Sequence, residues 1–111
     1  MVDGPEPKRV LVRGVGPTLS TQGVTSSLTD PQITLYGTGQ QRIAVNDNWS
    51  DGTESPEVAR ASAQVGAFSL PSGSRDAALI LTLEPGAYSV VVTGANSTTG
   101  VALAEVYEVL P

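Results

Sequence analysis

Residues Ala77 to Gly94 read A-A-L-I-L-T-L-E-P-G-A-Y-S-V-V-V-T-G, two apolar runs joined by Glu84-Pro85-Gly86. Consecutive Leu, Ile and Val give each run apolar side chains on both faces of an extended chain. Each is therefore a strand that is central in a sheet or covered by another surface. Proline pre-sets φ for position i+1 of a tight turn, and glycine supplies the positive φ of position i+2 in a type II turn. The stretch predicts a β-hairpin and, through it, an all-β protein.

Four further runs outside this unit are β-rich and bounded by Gly, Pro, Asn, Asp or Ser: Lys8–Gly14, Gln32–Tyr36, Arg42–Asn46 and Val101–Val109. With Ala77–Glu84 and Ala87–Gly94 they make six short strands, the pattern of an antiparallel β-sandwich of jelly-roll type. In K-R-V-L-V-R-G, Val10 and Val12 share one face while Arg9, Leu11 and Arg13 share the other, which predicts one core face and one mostly wet face. In the last run Val101, Leu103, Tyr107 and Val109 form one row, and Ala102, Ala104, Val106 and Leu110 the other. Glu105 and Glu108 each interrupt one row.

One short helix is predicted over Ser55–Gln64, with Ser55 as cap, Pro56 at the first helical position and Glu57 complementing the dipole. It is placed as a plug at one end of the sandwich. The connection from Gly14 to Pro31 is polar and glycine-rich, and its isolated Val15, Leu19, Val24 and Leu28 are read as pins to the core. No internal repeat is visible, so residues 1–111 read as one domain with residues 1–7 as an N-terminal arm.

Composition removes more chemistry than any motif adds. The chain has no cysteine and no histidine, which excludes disulfides, thiolate catalysis, Ser-His-Asp triads and most zinc, copper or iron sites. Charged residues are only 15% of the total, below the usual quarter, so Ser, Thr, Asn, Gln and Gly supply much of the polar surface. That balance suits an extracellular or cell-surface β-protein. The net charge is −5 with scattered basic residues, which argues against a nucleic-acid partner. No apolar run approaches the roughly 18 residues of a membrane span, and M-V-D-G-P-E-P-K lacks the apolar segment of a signal peptide.

The remaining chemical candidate is the loop A-V-N-D-N-W-S-D-G, Ala44 to Gly52. Asn46, Asp47, Asn48 and Asp51 offer hard oxygens that suit calcium, although the spacing fails an EF-hand at Trp49 and Val58. Trp49, the only tryptophan, could stack on a sugar with help from Tyr36 or Tyr88, or cap the core while Asn and Asp shape the turn. G-V-G-P-T-L has neither the Gly-Lys-Ser/Thr of a phosphate loop nor a third glycine, and it reads as a structural turn. Asp47, Asp51, Glu54 and Asp76 are read as solvated carboxylates and not as a catalytic pair. Asn48-Trp49-Ser50 and Asn96-Ser97-Thr98 match the N-glycosylation sequon.

The order I-T-L-Y, R-I-A-V-N-D-N-W and L-E-P-G-A-Y-S-V-V-V-T-G resembles the bacterial pre-peptidase C-terminal domain, a secreted β-sandwich. More closely, K-R-V-L-V-R-G-V-G-P-T-L, D-P-x-I-T-L-Y, N-D-N-W, G-A-F-S-L-P-S-G-S-R-D-A-A-L and T-T-G-V-A-L-A-E-V-Y-E-V resemble a module near the C-termini of large secreted or surface proteins of environmental bacteria. The resemblance implies a non-catalytic role in folding, display, adhesion or assembly, with calcium at Asn46, Asp47 and Asn48 in some sandwich relatives. It also implies an apolar strand before K-R-V-L-V-R, where this chain has M-V-D-G-P-E-P.

An uncovered sandwich edge is a template for another strand. Self-association into an oligomer or filament, or docking on a neighbouring module, is therefore expected. The expected contacts are Val2, Pro5 and Pro7 in the arm and Val101, Leu103, Tyr107 and Val109 in the last strand. The alternative expectation is a carbohydrate-binding module using Trp49, with a glycan partner and calcium assistance.

Overall fold

The computed structural model describes residues 1–51 and 54–110. It contains six strands, β1 (Lys8–Val15), β2 (Pro31–Tyr36), β3 (Arg42–Asn46), β4 (Ala77–Leu83), β5 (Ser89–Gly94) and β6 (Leu103–Glu108), and one α-helix, α1 (Ser55–Gln64). They form two three-stranded antiparallel sheets, β4–β1–β6 and β3–β2–β5, packed as a β-sandwich. Among the described residues no helix is long and apolar enough to cross a membrane.

The Glu84-Pro85-Gly86 corner is not a hairpin turn. β4 pairs only with β1, and β5 pairs with β2 in the opposite sheet, so the corner carries the chain from one sheet to the other. The apolar row of β4, with Leu79, Leu81 and Leu83, thereby faces Val90 and Val92 of β5 across the sandwich, where a hairpin would lay them side by side. Gly86 takes φ 157°, far from the ~+80° of a type II turn. Its backbone pairs instead with the arm: Gly86 N–H donates to Val2 C=O at 2.9 Å and Val2 N–H donates to Gly86 C=O at 2.7 Å. The arm is therefore held by its own chain. Among the described residues, the only consecutive strands that pair are β2 and β3, across Gly37–Gln41, with a register shift at Leu35/Tyr36.

β1 corrects a second expectation. Its residues Val10 to Val15 are all buried, because neither face is wet. Val10 and Val12 pack between the sheets with Ile33, Leu35, Ala77 and Leu83. Gly14 belongs to this inner face and leaves the space that the Ile33 side chain of the opposite sheet occupies. Leu11 and Val15 face the other way, into a cluster with Leu19, Trp49, Val58, Ala61 and Leu70. The helix therefore does not plug an end: its Val58 and Ala61 form part of a third layer over the outer face of β4–β1–β6. Glu54, in place of Ser55, occupies the N-cap, with no side-chain capping bond.

The Gly14–Pro31 connection behaves as its apolar residues predict. Leu19 and Leu28 are buried and Val24 packs on the core. It holds a short 3-10 helix, Pro17–Gln22, so G-V-G-P-T-L does open a helical turn, though one too short to act as an anion site.

Candidate functional site

The acid- and amide-rich residues divide into separate structural assignments. Asn46 Oδ1 accepts the Ala78 N–H at 3.0 Å, which ties the end of β3 to the start of β4. Asn48 C=O accepts the Asp51 N–H at 3.2 Å in the 3-10 turn Trp49–Asp51, and Asp51 is exposed. Asp47 turns towards Asp30, the residue before β2. The expected calcium ligands Asn46, Asp47, Asn48 and Asp51 thus reach different partners, and among the described residues no three Asp, Glu, His or Cys side chains stand together as a metal set. Gly52, the last residue of the quoted loop, lies outside the described residues.

Asp30 and Asp47 are the unusual pair. Asp30 is 5% exposed. Its Oδ2 accepts Asn96 Nδ2 at 3.4 Å and its C=O accepts the Ala95 N–H at 2.7 Å, anchoring the turn after β5. Oδ1 of each aspartate is buried without a hydrogen-bond donor. Burial first, then hydrogen bonding to Asp30 and its negative charge, raise the Asp47 carboxyl above its ordinary 3.8; Arg75 opposes and Asp51 adds to the shift. The Asp30 carboxylate thus disfavours the charged form of Asp47.

Asp76 is a buried structural carboxylate, contrary to its reading as a solvated one. It is 0% exposed and sits between the β1 exit and the strand β4 it precedes. Oδ1 accepts the N–H groups of Gly16 at 2.8 Å and Thr18 at 3.2 Å, and Oδ2 accepts the hydroxyls of Thr18 and, at 2.7 Å, Ser74. Four donors on one carboxylate satisfy it without a counter-charge. It has no lone pair to spare for catalysis.

Trp49 is 7% exposed. Its Nε1 donates to Pro71 C=O at 3.1 Å and Ser74 Oγ at 3.2 Å, and its backbone N–H donates to Asp76 C=O at 2.9 Å. The indole packs into the third layer, and what remains open beside it is a cavity of about 310 Å³ walled by helix and loop residues such as Ala59, Ser62 and Leu70. Tyr36 belongs to the other sheet, where it alternates away from the inward Ile33 and Leu35, and Tyr88 donates its hydroxyl to Glu84 C=O at 2.6 Å beside the sheet-crossing corner. Trp49 and the two tyrosines thus lie in separate parts of the fold and do not form a common platform.

An open concavity lies elsewhere in the molecule. On one side of the sandwich β3 lies against β4. On the other, β5 and β6 are the terminal strands of their sheets and flank a groove of about 480 Å³. Val10, Val12, Leu35, Val90 and Val106 supply apolar walls, Met1 to Gly4 of the arm lie at its mouth, and Lys8 and Glu108 form part of the rim, 3.8 Å apart. Val106 is 60% exposed, Val101 52% and Leu103 40%.

The expected association residues separate here. Val101 and Leu103 are exposed, and so are Pro5 and Pro7, while Val2 is half-buried on Gly86. Val109 is 6% exposed within the chain's own core and Tyr107 packs against the same cluster, because that row faces the third layer. The opposite row of β6, with Ala104, Val106 and Glu108, is the free one.

Arg13, expected on a wet face, and Glu105, which interrupts an apolar row, form a buried polar contact behind β6. Arg13 is 0% exposed; its Nε stands 2.9 Å from Glu105 Oε1, a charge contact off the hydrogen-bond line. Its Nη1 donates to Phe68 C=O at 2.7 Å and its guanidinium lies 4.7 Å from the Phe68 ring centre. Tyr107 donates its hydroxyl to Glu105 Oε2 at 2.7 Å, and that bond, with burial and the Glu105 charge, raises the tyrosine's pKa. No signal in the sequence distinguishes Arg13 from Arg9, which is half-buried and bonds Glu57 at 3.2 Å.

The class defined by this geometry is a β-sandwich with one covered and one bare outer face and an open strand-edge groove. Comparison with protein-family models, with characterised proteins and with solved structures finds no match.

Proposed function

We propose that the chain is a non-catalytic structural module of an extracellular or cell-surface assembly, acting by self-association through its free strand edges. The observation that carries this reading is the β5/β6 side. Two terminal strands without Pro or Lys border an apolar groove, and natural edges of that kind are usually blunted or covered. Each acidic residue of β6 has a cation beside it, Arg13 2.9 Å from Glu105 and Lys8 3.8 Å from Glu108, so a second strand is tolerated wherever it does not set these carboxylates against their own kind.

The absence of histidine and cysteine and the commitment of Asp76 to four donors support a role without catalysis. The low charged fraction, 15% of the chain, supports the extracellular setting. Sedimentation velocity from micromolar to millimolar concentration tests the reading: a mass that rises above that of one chain is expected, and a monomer throughout overturns it.

A further inference from the structure

Resting on that reading, we infer that two copies of this chain join β6 to β6 in antiparallel register about Val106, forming a closed dimer with one continuous six-stranded sheet. The direction of the β6 backbone groups comes first. Val109 N–H donates to Arg9 C=O at 2.8 Å, and Val101 uses its N–H and C=O on Ser26 and Leu28, so odd-numbered residues bond towards β1 and its flank. Alternation along an antiparallel strand then turns the N–H and C=O of Ala104, Val106 and Glu108 to the free edge. The same three side chains lie on the groove side, opposite Gly14, Val12 and Val10 in register.

Charge selects the register. Centring the two-fold axis on Glu105 sets the two copies' Glu105 directly opposite each other, and centring it on Glu108 does the same for Glu108, each a destabilising like-charge pair. Centring on Val106 pairs Val106 with Val106, Ala104 with Glu108 and Glu105 with Tyr107. All three edge-facing residues of each copy then exchange hydrogen bonds, and the most exposed valine of β6 is buried on its own image. Such an isologous contact closes on two copies and does not propagate, so β6 alone builds a dimer and a filament would need a second interface.

The absence of cysteine makes the test direct. Hydrogen-bonded antiparallel pairs place Cα atoms about 5.5 Å apart, within disulfide reach. In the full chain, oxidised Val106→Cys is expected to form a covalent dimer. Ala104→Cys and Glu108→Cys are each expected to stay monomeric alone and to cross-link when mixed. All three positions are exposed, so the fold tolerates the changes.

Val106→Pro removes an N–H that bonds nothing within the subunit, and Val106→Lys adds a charge on the axis. Each is expected to weaken the dimer roughly tenfold or more, Val106→Pro through the loss of two hydrogen bonds and Val106→Lys through a like-charge pair on the axis. Cross-linking of Ala104→Cys with Val106→Cys in mixture, or of Glu108→Cys alone, overturns the register. A wild-type dimer in which none of these thiols cross-links overturns the β6 interface while self-association stands. A wild-type monomer overturns both.

Discussion

The two sheets contain the same number of strands and differ in what lies on their outer faces. Outside β4–β1–β6, Leu11, Arg13 and Val15 are at 0% exposure, sealed by α1, Trp49, Phe68 and Leu70. Outside β3–β2–β5, Ile43, Val45 and Val91 are 44%, 38% and 41% exposed. Both faces carry β-branched and aliphatic residues, so residue type along a strand does not decide which face is covered. The connections decide. The β1–β2 and β3–β4 segments carry the apolar residues that need a surface, Leu19 and Trp49 with Val58 and Ala61, and both fold onto the same sheet.

The strongest challenge to this contrast is Trp49→Ala. Removing the indole opens the third layer and leaves Pro71 C=O and Ser74 without their donor, so a loss of about 3–5 kcal/mol is expected in urea unfolding. A loss below that of an ordinary surface change would mean the layer is not cooperative with the sheet.

Next in size is Arg13→Ala, expected to cost about 3 kcal/mol or more, because Glu105 is left buried beside an empty space. The double variant Arg13→Met, Glu105→Gln is expected to recover most of that loss, since neither side chain then carries an unpaired charge. A double variant as unstable as the single one would assign Arg13 to packing and not to charge.

A smaller effect of opposite sign is expected at Asp47. The folded carboxyl holds its proton more tightly than the unfolded one, whose ordinary pKa is 3.8. The folded state therefore carries the extra proton from that value up to the raised one, and this pair's contribution to stability declines as pH rises through that window. Asp47→Asn removes the titrating carboxyl and sets an amide donor beside Asp30. It is expected to gain about 1 kcal/mol at neutral pH and to flatten the wild-type slope just above the ordinary carboxyl value of 3.8, measured as the difference between the two unfolding profiles. An unchanged slope would show that the two carboxyls do not interact.

The smallest effect belongs to the bare face: Ile43→Thr is expected to change stability by less than about 0.5 kcal/mol. A larger loss would show that this face is covered in solution and would extend the self-association reading to it.

Local order was legible because it depends on neighbours in the chain. The six strands and the helix fall within a residue or two of where turn residues and apolar periodicity place them, and Leu19 and Leu28 pin their loop as isolated apolar residues should. The hairpin was not legible. Glu84-Pro85-Gly86 satisfies the chemistry of a tight turn equally well whether the next strand lies beside β4 or across from it, and only the burial of both apolar rows against each other separates the two. The candidate residues failed in the same way: nothing near Asp76 or Asp30 in sequence announces that Thr18 or Asp47 will lie beside it.

By itself, then, the amino-acid order determined a two-sheet β protein, the absence of histidine and thiol chemistry, and a strand at Val101–Val109 with two unlike rows. The tertiary structure alone decided that β4 and β5 belong to different sheets, that Arg13 is buried and that Trp49 is a core residue. It also decided that Val106 is exposed and Val109 buried. The physical reason is that alternation fixes only which residues share a face, whereas the side that loses its water depends on contacts between segments 30 to 60 residues apart, such as Arg13 with Phe68 or Gly16 with Asp76.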